Sequence, residues 1–245
     1  MHAALRFVAY AIAAAVGCVA LFYMTAYFFG TLFALTSGGI VARYPAKLEA
    51  SYMARGGTYL PFSAIPRCGV QGTVSVEDKR FFYNPGVDPI ALVRAGLATF
   101  RNDHQDHGGS TITQQLARIV IREPRAQPSL IAELWSELRV VKYGLILEHD
   151  FSKEKILELY LNSVYYGHGA VGFYAAAHAY FNTDPRRLTA AQCYYLTGLP
   201  QAPSYFGSDP AAAALRYLHV LSTLRRNGYL TSEEAALLAS STPRR

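Results

Sequence analysis

Two short stretches of the chain hold residue types that can do chemistry. Glu77 and Asp78 stand side by side directly after Val70-Gln71-Gly72-Thr73-Val74-Ser75-Val76. The alternation in that run predicts an extended segment that gives way at the two acids, and such boundaries are where loops carry reactive groups. The second stretch opens with Gly108 and Gly109, places hydroxyls at Ser110 and Thr111, and then sets Ile112, Gln115, Leu116 and Ile119 at helical spacing. It predicts a turn feeding a helix whose first amides have no partner within the helix and can hold an anion. Arg118, Arg122 and Arg125 follow on the same stretch. They are candidate anion holders, each equally readable as a solvated surface charge.

Beyond their chemistry, the two stretches carry a resemblance. Glu77, Asp78, Phe81 and Gly86 resemble the first motif of glycosyltransferase family 51, the peptidoglycan glycosyltransferases, written E-D-x-x-F-x-x-H-x-G; Asn84 stands in place of its histidine. The second motif of that family, G-G-S-T-I-T-Q-Q, is matched at every position from Gly108 to Gln115. Ile156 to Asn162, Tyr165-Tyr166-Gly167 and Gly169-Ala170-Val171-Gly172 are similar to its fourth motif. Ala175-Ala176-Ala177 with Tyr180-Phe181, and Leu196 to Ser204, are similar to later blocks. The resemblance covers residues 70 to 205.

The resemblance implies a mainly α fold: a lysozyme-like helical lobe and a small membrane-proximal jaw, with a long cleft between them. It also implies an activity, the polymerisation of glycan strands from a lipid-linked disaccharide pyrophosphate, lipid II. The 4-hydroxyl of an acceptor sugar attacks the anomeric carbon of a donor, and a carboxylate must take the hydroxyl proton as the bond forms. Glu77 matches that catalytic base, and Asp78 shapes the site. The leaving pyrophosphate gathers negative charge that needs cations or aimed amides. Phe81, Gly109, Ser110, Thr111, Gln114, Gln115, Arg118 and Arg122 are the substrate-binding residues carried over, with Arg118 where the family usually has lysine. Magnesium assists some family members, but no ligand set identifies a metal site here, and no cofactor is required by the sequence.

The third motif, R-K-x-x-E, departs most. Counting back from Leu147-Glu148-His149 places Ser136, Glu137, Leu138, Arg139 and Val140 there, without its basic pair or its acid. Glu137 lies three residues before Val140, on a neighbouring part of the same helical face. It is the candidate second catalytic carboxylate, and Arg139 or Lys142 the candidate cation. Tyr174 and Gln192 also stand where glutamates are common in the family. These losses keep a second reading open, an inactive relative that binds lipid-linked glycan or a cell-wall synthesis partner. A lytic hydrolase is a third reading, for which no water-activating pair is evident.

The whole chain must position those groups. With 245 residues, 51% of them apolar, it can bury one sizeable core and a membrane segment. The net charge is +6 with only 16% charged residues, which suits a phosphate-bearing partner or an anionic membrane surface. No Lys/Arg cluster dense enough for nucleic acid appears. From Phe7 to Ser37 no residue is charged, a run longer than the roughly 20 residues a helix needs to cross a bilayer. It predicts an uncleaved single-pass anchor over 7–37 in the plasma membrane, with residues 1–6 cytoplasmic, Tyr23, Tyr27, Phe28 and Phe29 as an interfacial aromatic belt, and the remainder extracytoplasmic. Residues 38–66 read as a juxtamembrane connector with at most short helix, Leu48, Tyr52 and Met53 grazing the lipid, and 67–245 as the glycosyltransferase-like domain.

Val87 to Phe100 reads as an amphipathic helix and Asn102 to His107 as a solvated loop rather than a metal site. Helices follow over Ser129–Glu148, with a stripe through Leu130, Ile131, Leu134, Leu138, Val141, Leu145 and Leu147 fit for a buried face, after a cap at Ser152, and after capping boxes at Thr189 and Thr231. Cys18 falls in the anchor; Cys68 and Cys193 read as buried free thiols, a bridge being the alternative. Ser152-Lys153-Glu154-Lys155 spells S-x-x-K but lacks the accompanying transpeptidase motifs, so any coupled crosslinking needs a penicillin-binding transpeptidase as partner.

Overall fold

Helix α6 (Lys153–Ser163) is buried from Ile156 to Ser163, and it organises the core. Ser152 caps it by accepting from the Lys155 amide at 3.3 Å, so the hydroxyl of the S-x-x-K sequence is spent on helix structure. Fully burying each of its leucines and Ile156 stabilises the fold by about 1.5–3 kcal/mol apiece. The computed structural model describes residues 2–36, 39–88, 110–123, 129–241 and 243, with side chains in the first helix described from Gly17 on, Val19 apart. The amphipathic stretch up to Phe100, the polar run 102–107 and Gly109 lie outside the described residues.

The other helices are α1 (His2–Thr36), α2 (Tyr44–Ala54), α3 (Arg67–Glu77), α4 (Ile112–Val120), α5 (Leu130–Asp150), α7 (Phe173–Phe181), α8 (Ala190–Gly198), α9 (Pro203–Ser208), α10 (Pro210–Arg226) and α11 (Ser232–Ser240). Strands β1 (Tyr165–Gly167) and β2 (Ala170–Val171) form an antiparallel hairpin after α6. The fold is therefore mainly α, and both expected capping boxes, Thr189 with Gln192 and Thr231 with Glu234, are formed.

Two expectations are corrected at α3. The alternating run before Glu77 is helix, not an extended segment. Its buried face is made of small residues, Gly69, Gly72 and Thr73 with Val74 and Ser75, so the valines at every second position gave a misleading period. A Cβ on Gly72 would come within 2.5 Å of Thr197 Oγ1, which explains the glycine: α3 lies directly on α8. Cys68 and Cys193, expected as free thiols, are joined by a disulfide between these same two helices, with Cα atoms 6.0 Å apart. The bridge spans 125 residues of sequence, and a disulfide closing so long a loop stabilises by about 4 kcal/mol, the upper end of what such bridges typically contribute. Replacing both cysteines by serine is expected to lower Tm by about 8–16 °C in thermal unfolding at neutral pH; an unchanged Tm would mean that the bridge adds nothing.

The connector joins the core rather than the lipid. Val41, Leu48, Tyr52, Leu60 and Ile65 belong to the main hydrophobic cluster, whereas Met53 is 81% exposed. Tyr52 Oη donates to the Asn162 carbonyl at 2.6 Å, and burial pushes its pKa up to about 12. Glu158 of α6 accepts from Tyr59 Oη, the Phe62 amide and Lys155 Nζ. Burial pushes its carboxyl up, but these three donors outweigh that and hold it below its usual value. Because the folded pKa is depressed, the stabilisation is present above the ordinary carboxylate pKa near 4.3 and is lost as pH falls through the folded value. A Glu158→Gln variant should lose stability at pH 7 and show a flatter decline between pH 5 and pH 3 in thermal unfolding.

Helix α1 is 35 residues long, and among the described residues there is no helix long and apolar enough to cross a membrane. Its C-terminal half packs along α5: Phe33 and Ala34 meet the core, and Lys142 Nζ lies 5.5 Å over the Phe33 ring. Tyr23 Oη donates to the Tyr83 carbonyl. Tyr27, Phe28 and Phe29 remain exposed. The expected buried stripe of α5 holds only in its second half. Leu145 and Leu147 are buried, while Ile131 and Leu138 are exposed and Val140 and Ser136 take the inner positions.

Candidate active site

Glu77 ends α3 at the wall of a groove of about 1020 Å³. Gln115 Nε2 donates to Glu77 Oε2 at 2.8 Å, and Tyr160 Oη donates to Gln115 Oε1 at 3.1 Å. Tyr160 is fully buried on α6, so a chain of hydrogen bonds fixes the Glu77 carboxyl from the core outward. The sequence shows Tyr160 only as part of a helical stripe; its role appears once α4 and α6 are packed together.

Asp78 follows the helix end and is 6% exposed. Its oxygens accept from Asn84 Nδ2, each at 3.0 Å, and Oδ2 also accepts from the Ile112 amide at 3.3 Å. Burial pushes the Asp78 carboxyl up, against the donors Asn84 and Ile112 and the charge of Lys153. Asn84 Oδ1 in turn accepts from the Gly86 amide at 3.0 Å. Asn84 thus supplies a neutral clamp where the resembling motif has a titrating histidine. Gly86 has φ +88, and a Cβ there would lie 2.8 Å from Glu148 Cγ, so only glycine fits. Its carbonyl accepts from Thr111 Oγ1 at 2.6 Å. The two motifs are therefore tied to one another through Asp78, Asn84, Gly86 and Thr111.

Helix α4 starts at this junction. Thr111 and Gln114 form a capping box, the Thr111 amide donating to Gln114 Oε1 at 2.9 Å and the Gln114 amide to Thr111 Oγ1 at 3.1 Å. The Gln114 oxygen expected to clamp substrate is thus committed to the cap, although the residue lines the groove beside Ser110 and Thr111. Phe81, expected to bind substrate, packs in the core. It is fully buried, outside the groove wall, with Lys153 Nζ 4.6 Å over its ring.

Arg118 and Arg122 line the groove one and two turns further on. Arg118 Nη2 donates to Glu137 Oε1 and its Nη1 to Ser136 Oγ at 3.3 Å. Glu137 itself is half exposed and is not among the groove-lining residues. An acid beside these arginines on the wall is Glu123, which the motif comparison missed. Its side chain is 10% exposed and accepts from Arg139 Nε at 3.1 Å and Nη2 at 2.5 Å. The Arg139 hydrogen bonds hold its carboxyl below the usual range, helped by Ser136 and by the charges of Arg139 and Arg118. Arg122, with φ 54, turns the chain between α4 and Glu123. Val140 occupies the wall where the third motif would place its acid. Among the described residues no three His, Cys, Asp or Glu side chains are grouped to hold a metal.

A further part of the wall comes from α10: Arg216, His219, Thr223 and Arg226, with Asn227 just beyond. Asn227 Nδ2 donates to Ser75 Oγ at 2.8 Å, which fixes the end of α10 beside the helix that carries Glu77. Nothing in the sequence shows that this face meets the groove.

The domain is mainly helical, and its groove sets carboxylates among guanidinium groups. Comparison with known proteins makes the class specific. The family model described as "Transglycosylase" matches residues 46–225. The chain belongs to this family, glycosyltransferase family 51, and its domain is a peptidoglycan glycosyltransferase domain. It is 36% identical over 179 residues to putative transglycosylase H16_A0665 of Cupriavidus necator, covering 72% of this chain and 74% of that protein. It is 37% identical over 173 residues to penicillin-binding protein 1A of Escherichia coli, covering 69% of this chain but 20% of that protein. For penicillin-binding protein 1A of Aquifex aeolicus the identity is 35% over 179 residues, 72% of this chain and 24% of that protein. The chain therefore spans a quarter or less of these two penicillin-binding relatives and about three quarters of the Cupriavidus protein.

Proposed function

We propose that the protein polymerises glycan strands from lipid II at the outer face of the plasma membrane, with Glu77 as general base. The observation that carries this reading is the Glu77 carboxyl, held by Gln115 in a groove that Ser110, Arg118 and Arg122 also line. In the reaction the acceptor 4-hydroxyl oxygen bonds to the donor anomeric carbon, its proton passes to Glu77, and the bond to the pyrophosphate oxygen breaks. Ionised Glu123 stabilises positive charge developing at the anomeric carbon, and Arg118 with Arg122 receives the departing diphosphate. Glu137 serves by holding Arg118.

The uncharged run of residues 7–37 supports attachment of the chain to the membrane. The Cys68–Cys193 disulfide supports an oxidising, extracytoplasmic setting for the domain. Kinship with penicillin-binding proteins favours a transpeptidase as working partner. Incubating the full chain with lipid II in detergent or vesicles tests the activity: polymer of many disaccharides is expected, and binding without polymer overturns it. That second outcome is the one favoured by Val140 on the groove wall, which lacks the acid of the third motif.

A further inference from the structure

One wall of the groove is not needed for the transfer step. Helix α10 presents Arg216, His219, Thr223 and Arg226 along a single face, and all four line the groove. Their spacing of three, four and three residues is that of one helical stripe. This wall contributes cations and no acid. Arg216 is largely buried and donates from Nε to the Gly198 carbonyl at 3.0 Å, which braces α10 against the end of α8. Arg226 is exposed, and its Nη2 donates to Thr223 Oγ1 at 2.8 Å, so its guanidinium lies along the stripe.

We propose that His219, Thr223 and Arg226 form a subsite for the carboxylate-bearing peptide attached to the glycan substrate. The inference rests on the reading of the groove as a glycan-polymerising site and adds the part of the substrate that α10 recognises. A neutral sugar gives a guanidinium little to bind, whereas a carboxylate matches it in charge and in planar geometry. A lipid-borne diphosphate is the other anion of the substrate, and in the transfer proposed above Arg118 and Arg122 receive it. Helix α1 packs on residues 142–149 of α5, whereas α10 packs on α3, α8, α9 and α11. A peptide hanging from the sugar is free to extend away from that diphosphate towards α10. The link from Asn227 to Ser75 then couples the peptide-binding wall to the helix bearing Glu77.

The test compares lipid II with free peptide carboxylates against lipid II whose peptide carboxylates are amidated, using the full chain and its Arg226→Ala variant. The variant is expected to lower kcat/KM about tenfold for the free-carboxylate substrate and less than about threefold for the amidated one, with Arg226→Lys intermediate. Equal losses on both substrates overturn the proposal. A second arm measures binding of a soluble disaccharide peptide, which has no lipid or diphosphate and cannot be polymerised. Its Kd should rise about tenfold in Arg226→Ala and on amidation, without the two effects adding. If the chain makes no polymer, the catalytic reading fails while this arm still decides the subsite; if binding ignores both changes, the subsite fails while polymerisation stands.

Discussion

Glu77→Gln is expected to reduce polymer formation from lipid II by about a thousandfold, within the range that a lost general base costs, while leaving lipid II binding within about threefold. The substitution keeps volume and shape, and the new amide oxygen can still accept from Gln115 Nε2, which lies 2.8 Å from Glu77 Oε2 in the native chain. The groove should therefore survive, and thermal unfolding should show it intact. What is removed is the lone pair basic enough to take a hydroxyl proton. Asp78→Asn is the contrasting case. Asp78 is committed to Asn84 and the Ile112 amide, so its loss should appear as lowered stability together with lowered activity. Turnover that persists in Glu77→Gln would remove Glu77 from the chemistry and with it the proposed mechanism.

Much of the fold was legible because helix signals are local. Caps at Ser152, Thr189 and Thr231, and the apolar spacing of α6, are written in neighbouring residues and hold as helices. Helix α3 was misread because its packing face is glycine, serine and threonine, and close approach to α8 replaces apolar bulk as the reason for burial. The disulfide between those helices is a long-range pairing that spacing cannot reveal. The groove was legible where a motif named it, at Glu77, Asp78, Ser110 and Arg118. Glu123 and the α10 face depend on how α4, α5 and α10 come together, and the burial of Phe81 shows that a position matching a motif can serve packing.

Arg118→Ala should lower kcat/KM for lipid II about a hundredfold, mainly through kcat, because a cation aimed at a leaving diphosphate matters most as charge accumulates there. Its position on the groove is set by Glu137 and Ser136 on α5, and the partly exposed pair contributes little to stability by itself. Unfolding of the variant should therefore stay close to that of the native chain. Glu137→Ala separates two roles for the same acid. If Glu137 only holds Arg118, its loss should cost about tenfold or less, the double variant with Arg118→Ala should be no worse than Arg118→Ala alone, and the pH profile should keep its shape. If Glu137 itself reacts, its loss should match that of Glu77→Gln and the two arginine backgrounds should both suffer. Because Glu123 lies on the groove wall under Arg139, Glu123→Gln is expected to exceed Glu137→Ala in its cost to kcat. The reverse order would return the second carboxylate to α5.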